Sequence, residues 1–494
     1  MEADGQQVAR PALQNTAGPR SVPDSYHANT QSISRQPEIR EFSLKRARLI
    51  AFVTLLISQA AIQYWPAPIL ETIGGLVSLV AWALALSGAD RTSVILSLVL
   101  VAFGSCIFAS LGTDPLTALI SFGENSAILL IMVLVPLVGI VIERGGYADA
   151  LGEIAENVRQ PAYLFGFALF LVYAIGSVLL NASIALVWTV LAPIVVRIGK
   201  RPEDVLVPSL PRGYNASLLW TPSSPAMAIA LALTGASWTS VAKAGFVTSL
   251  FALAVAILVE AGGPALSPGK KRVALRQREH GDHRAAWKKT AVLAFGLGSF
   301  LTGVVVLQEL GHNVYQAIIP CIALTLAIWG GLIGKPREVW KSAFVYFSER
   351  LPGLSSQFLL MTTAGFIGTA LQSAIEGGLP GVSLTAQPDR LVFTLAGSLI
   401  VWLISIFGIH ALIGMTIVHS VIAPFAGGLS PAHVSMTLLL GAALGFTVSP
   451  VSATILVTSA VAGKNSIDVG FRRQWKYAGV AWIVCSVVLT LTKI

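Results

Sequence analysis

Eleven apolar runs, each close to the length that crosses a lipid bilayer, constrain this chain more than any other feature. They are Leu49–Tyr64, Ile69–Leu86, Ser93–Leu111, Ala127–Ile142, Val205–Thr234, Ala244–Glu260, Ala291–Leu307, Tyr315–Leu332, Leu354–Leu371, Val434–Val461 and Ala478–Leu491. A hydrocarbon core about 30 Å thick takes roughly 20 helical residues. Inside it a backbone must satisfy its own polar groups, which leaves helices and closed barrels. Two further blocks, Tyr163–Ile198 and Leu391–Ala426, run about twice that length with no hydrophilic loop in the middle. Only 12% of the 494 residues are charged, against about 25% in soluble domains. An ordinary water-soluble domain is therefore excluded, as is a disordered or nucleic-acid-binding chain, despite a net charge of +9. Forty-five glycines and twenty-five prolines in so apolar a chain point to interrupted helices.

Charge gives the orientation. With the N-terminus in the cytoplasm, the inside segments are the N-terminal tail, Ala89–Thr92, the stretch around Arg144 and Arg159, Arg197–Arg201, Gly269–Lys289, Lys335–Arg350 and Lys464–Lys476. They hold all of the 33 Lys and Arg except Arg212, Lys243, Arg390 and Lys493. That bias is the positive-inside signature, and it holds only if each double-length block enters and leaves on one side. The predicted fold is thus all-α and polytopic, with about eleven transmembrane helices plus two re-entrant hairpins. The organisation expected is a flexible cytoplasmic tail over residues 1–46, scaffold helices over 47–125 and a first repeat over 126–260 with its hairpin at 163–198. A basic cytoplasmic loop over 261–290, scaffold helices over 291–353 and a second repeat over 354–494, with its hairpin at 391–426, complete it. Arg212, near the cytoplasmic end of its span, is expected to snorkel.

The two halves share a pattern. Hairpin one turns at Leu180-Asn181-Ala182-Ser183 and hairpin two at Ile409-His410-Ala411. Forty residues after Asn181 stands Thr221-Pro222-Ser223-Ser224, and thirty-nine after His410 stands Ser449-Pro450-Val451-Ser452. Thirteen residues beyond each proline comes a glycine, Gly235 and Gly463. One copy starts outside and the other inside, so this is an inverted-topology repeat of the kind secondary transporters use, with binding sites at broken helices near the midplane.

Hairpin tips with a polar turn, each followed by a broken span carrying Thr/Ser-Pro-x-Ser, resemble the ion transporter superfamily, and most closely in pattern its divalent anion:sodium symporter type. The resemblance spans about Ser126–Leu491 in architecture. Tip one keeps Asn181 but reads Leu-Asn-Ala, and tip two has His410 in place of an Asn. What the resemblance implies is a homodimer, an elevator-like movement of the hairpin domain, and Na⁺ as coupling ion.

Polar residues at such tips have a physical task. Unpaired N–H groups at half-helix N-termini suit an anion, and unpaired carbonyls with side-chain oxygens suit a dehydrated Na⁺. The candidate substrate-binding residues are Asn181, Ser183, Thr221, Ser223, His410, Ser449 and Ser452; the candidate cation ligands are Asn181, Ser224, Ser452 and Thr454. Set against this, a Ser or Thr in an apolar helix commonly bonds its own i−4 carbonyl, and Pro222 or Pro450 alone is a kink. Neither hairpin and neither broken span, Leu206–Thr234 or Val434–Val461, contains an Asp or Glu. Proton-coupled carriers and cation antiporters place a carboxylate there. Direct proton coupling would fall to His410, with an ordinary pKa of about 6.5. Cys106, Cys321 and Cys485 stand alone in apolar stretches and read as buried thiols, with no disulfide framework and no zinc site. With no nucleophile–base pair or P-loop, the chain is not expected to be an enzyme or to hold a cofactor.

The expectation is a secondary active transporter of the inner membrane, taking up a small organic anion, most simply a carboxylate, with Na⁺. Its partners would be that anion and the lipid bilayer, with no nucleic acid. The rivals are an arsenite-like oxyanion efflux carrier or a cation/proton antiporter on the same fold, and a membrane scaffold or sensor that moves nothing.

Overall fold

The computed structural model describes residues 25–156, 158, 160–263, 266–267, 283–376 and 389–492. Residues 1–24 of the polar tail and 268–282 of the basic loop lie outside them. The chain divides into two units, residues 1–46, helical from residue 25, and Ala47–Ile494. Among the described residues every regular element is helical. Ten helices among the described residues are long and apolar enough to cross a membrane, or eleven if the pair Ile128–Arg144 and Tyr147–Ala155, bent by 69°, is one span. The chain is an all-α polytopic membrane protein.

The spans are not all alike. Arg91–Leu111 buries only 17% of its most apolar stretch, and Ile95, Val99 and Phe103 on it are exposed. Cys106, expected to be buried, is exposed on this helix too, whereas Cys321 and Cys485 are buried. Lipid is as apolar as Leu, so such faces need no protein partner. The first arm of hairpin one, Pro161–Leu179, buries 61% of its apolar stretch. Its second arm, Ala182–Arg197, packs against it, and the helix Pro202–Ser217 packs along both. Hairpin two repeats the arrangement: Arg390–Ile406 and Ala411–Ile422 pack on each other and on Pro431–Val448.

The apolar run Val205–Thr234 is not one helix. Pro202–Ser217 ends in a turn, and a second helix, Pro225–Thr234, follows. The break follows from the sequence. Pro222 and Pro225 have no N–H to continue a ladder, the Ser224 hydroxyl accepts the Ala226 N–H at 3.2 Å as a cap, and Gly235 closes the helix at φ 68°. Val434–Val461 breaks in the same way. Pro431–Val448 stops at Ser449, the Ser452 hydroxyl accepts the Ile455 N–H at 3.2 Å, and Ala453–Ala462 ends on Gly463 at φ 61°. Thr/Ser-Pro-x-Ser followed by a distant glycine thus encodes a break, an N-cap and a C-cap, twice.

Arg212 does not snorkel. It is 1% exposed, with Nη2 2.8 Å from Glu260 Oε1, Nε 2.8 Å from Gln474 Oε1, and the guanidinium 4.9 Å over the Tyr477 ring. A complete set of partners removes the reason to reach for water. Nearby, at the start of the same helix, Asp204 meets Arg201 at 3.0 Å and Arg473 at 3.1 Å. Partial burial pushes the Asp204 carboxyl upward, but the hydrogen bond and charge of Arg201, joined by Arg473, prevail and hold it below the usual carboxylate range. A carboxyl depressed in the folded state stabilises above its unfolded pKa, and that contribution is lost as pH falls through the folded value. Asp204→Asn is therefore expected to cost roughly 0.5–1 kcal/mol at pH 7. Its thermal midpoint should begin to approach that of wild type only as pH falls below about 4, and meet it below the depressed folded value.

Candidate functional site

Both hairpin tips and both breaks point toward one place. At tip one the helix Pro161–Leu179 ends when Leu180 takes φ 53° and ψ −139°, a conformation that side chains avoid. The Ser177 carbonyl, which a continuing helix would hand to Asn181, instead accepts the Thr221 hydroxyl at 2.8 Å and the Ser223 hydroxyl. The first break therefore caps the first tip. At tip two Gly408 supplies the turn at φ 95°, and His410 Nδ1 accepts the Leu412 N–H at 3.4 Å. The imidazole stands where a cap oxygen usually stands, which accounts for a His at this tip. With Nδ1 an acceptor, the hydrogen of the neutral ring lies on Nε2.

Between the tips lies a cavity of about 220 Å³. Of the residues singled out from sequence, Asn181, Ser224, His410 and Thr454 line it. Ser183, Thr221, Ser223, Ser449 and Ser452 are buried but do not line it. The Ser183 hydroxyl donates to the Leu180 carbonyl at 2.7 Å. The Ser452 hydroxyl donates to the Phe446 carbonyl at 2.7 Å while capping its helix. Ser449 is buried, its N–H given to the Gly445 carbonyl at 2.9 Å. No Asp, Glu, Lys or Arg lines the cavity among the described residues.

Two polar residues absent from the sequence-based set belong to the site. Gln357 lines the cavity, and its buried amide oxygen has no partner among the described residues. Asn215, 2% exposed, ties the halves together. The Thr447 hydroxyl gives its proton to the Ala443 carbonyl at 2.7 Å, so it accepts from Asn215 Nδ2 at 2.9 Å. That turns Asn215 Oδ1 toward Thr454. The Thr454 hydroxyl then lies 3.0 Å from Asn181 Oδ1 and 3.4 Å from Asn215 Oδ1. One hydroxyl proton faces two amide oxygens, and a hydroxyl can satisfy only one of them fully. Three converging oxygens with a single proton make a locally electronegative pocket suited to a small hard cation.

A second cavity, about 860 Å³, shares Pro136, Leu179 and Ala182 with the first. Its wall carries Glu143, Arg144, Glu338, Lys341, Glu349 and Arg350, with Arg144 3.6 Å from Glu338. The charges excluded from the inner cavity thus stand around the adjoining, wider one.

No family profile and no curated protein sequence matches this chain. Among solved structures it is similar to the Alcanivorax borkumensis YdaH transporter, a protein whose crystal structure shows an unusual topology, with a TM-score of 0.58 and 15% identity over 81% of this chain and 98% of that one. At that identity the likeness concerns the fold alone, an all-helical polytopic membrane architecture.

Proposed function

We propose that this protein is a secondary active transporter that takes up a small organic anion together with Na⁺. The observation that carries the reading is the meeting of both hairpin tips and both helix breaks at one cavity with no carboxylate in its lining. Oxygens from Asn181, Asn215 and Thr454 would hold the cation, and its charge would then draw the anion into an otherwise uncharged cavity. A titrating carboxylate, the usual vehicle of proton coupling, is missing from the lining, so Na⁺ suits the side-chain inventory better than H⁺. In this reading the hairpins are re-entrant and move as an elevator, and the protein is an inner-membrane homodimer with its N-terminus in the cytoplasm. The divalent anion:sodium symporter pattern supports these points as a resemblance. The wider charged cavity would then open toward the cytoplasm, because Arg144, Lys341 and Arg350 lie on the positive side.

Reconstituted proteoliposomes test this. Carboxylate uptake is expected only with an inward Na⁺ gradient, and Asn181→Ala and Thr454→Val are each expected to abolish it at normal abundance in the membrane. Asn215→Leu should raise the Na⁺ concentration required for half-maximal uptake about tenfold or more, the consequence of about 1.4 kcal/mol of lost cation binding. Acid-driven cation exchange, or full transport by both Asn181→Ala and Thr454→Val, would overturn the proposal.

A further inference from the structure

We infer that the cavity selects a monoanion with an apolar body, of the size of hexanoate or benzoate, over dicarboxylates. This rests on the transport reading above and narrows it to a substrate class. Three observations lead to it. First, the space is small: about 220 Å³ is the liquid volume of about seven waters. Second, the greater part of its wall is apolar, with Met132 and Val133 on one helix, Leu218 at the first break, and Phe358, Leu412 and Phe446 from three further helices. Such a wall contributes to binding in proportion to the apolar area it removes from water.

Third, no Lys or Arg stands in the lining among the described residues, so the negative charge the cavity can offset is the single one that a bound Na⁺ would match. His410 offers Nε2–H, because Nδ1 is occupied by Leu412. The Gln357 amide has an unpartnered end, and turned over it presents its NH₂ as a second donor. Asn181 and Thr454, also in the lining, share a hydrogen bond at 3.0 Å, and their two oxygens, brought together, attract a cation. A carboxylate held by His410 and Gln357 would face a Na⁺ held by Asn181 and Thr454. A second carboxylate would then lie against Met132, Leu218 or Phe446 with no cationic side chain in reach. Burying an unpaired charge there is costly.

The experiment uses purified full-length protein in detergent and follows its thermal midpoint, since a ligand that binds the folded state raises it by mass action. Hexanoate, benzoate, hexanamide, succinate and glutarate are added in NaCl or in choline chloride. Hexanoate and benzoate are expected to raise the midpoint by several degrees in NaCl only. Competition should then show them at least about tenfold tighter than succinate. Met132→Ala, which adds room at the apolar end, should move the preferred chain from hexanoate toward octanoate, a shift that general destabilisation does not produce. Succinate or glutarate equal to hexanoate would overturn the inference and leave the transport reading standing. So would hexanamide equal to hexanoate, since the negative charge would then be irrelevant to selection. Silence of every carboxylate with and without Na⁺ would overturn the transport reading itself, and this inference with it.

Discussion

Alanine at position 212 is expected to lower the unfolding free energy by about 3–5 kcal/mol, the cost of removing one partner from a buried ion pair. The guanidinium is surrounded by acceptors from two other helices: Glu260 Oε1 and Gln474 Oε1 at 2.8 Å, and the carbonyls of Ala256 and Arg473 at 3.3 Å. Its loss leaves Glu260 and Gln474 without their partner, while the two carbonyls keep the intrahelical N–H four residues on. Glu260 is 14% exposed in its side chain and can recover some water, whereas Gln474 is fully buried. Arg212→Lys should recover little, because a single ammonium cannot span the fork that a planar guanidinium fills. The double variant Arg212→Met with Glu260→Gln should be more stable than Arg212→Ala, since it leaves no charge unpaired. Thermal midpoints in detergent check all three, and an Arg212→Ala midpoint equal to wild type would refute the account.

The second large effect concerns two glycines. A Cβ on Gly213 would sit 2.3 Å from the Leu169 carbonyl oxygen, and one on Gly441 2.5 Å from the Ser398 carbonyl oxygen. In both cases the obstacle is backbone, so the helices must separate. Leu169 lies on the first arm of hairpin one and Ser398 on the first arm of hairpin two, and each glycine stands eight residues before its Thr/Ser-Pro motif, at Thr221 or Ser449. The close crossing of arm over broken span is therefore a property of the repeat. Gly213→Ala and Gly441→Ala should each cost about 1–3 kcal/mol by overpacking and displace the tips, reducing transport more than stability. A methyl group on Gly166, on the same arm, would have nothing within 4 Å, so Gly166→Ala should be neutral or stabilise by up to about 1 kcal/mol. Equal behaviour of the three variants would refute the packing argument.

What can be read from the sequence depends on the range of each interaction. The spans are written locally, because hydrocarbon demands uninterrupted apolar helices. So are the breaks: Pro222, Ser224 and Gly235 act within a few residues of themselves, as do Pro450, Ser452 and Gly463. Asn215 carries no such local mark, because the residues that give it meaning, Thr447 and Thr454, lie more than 200 positions away in the chain, within the other repeat. Gln357 sits among Ser355, Ser356 and Phe358 with no motif around it. Arg212 departs from its expected snorkelling for the same reason, since Gln474 and Tyr477 belong to the last span. Glu260, at the same end of its own span, is the one sign in the sequence that the arginine has a partner. The motif marks Thr221 and Ser223 as special, but proximity in sequence cannot show that their hydroxyls serve the Ser177 carbonyl.

Leu180 adds a consequence for binding thermodynamics. A leucine at φ 53° and ψ −139° holds a backbone state that costs about 1–3 kcal/mol, offset by packing of its side chain, which is 7% exposed. That strain is met once, on folding. At tip two the corresponding freedom belongs to Gly408, which accepts positive φ without penalty and samples more of its neighbourhood. Ordering flexible groups on association subtracts from affinity. If the tips hold a ligand as proposed, the first would meet it with little entropy left to lose, whereas the second would give up part of its binding free energy to becoming ordered.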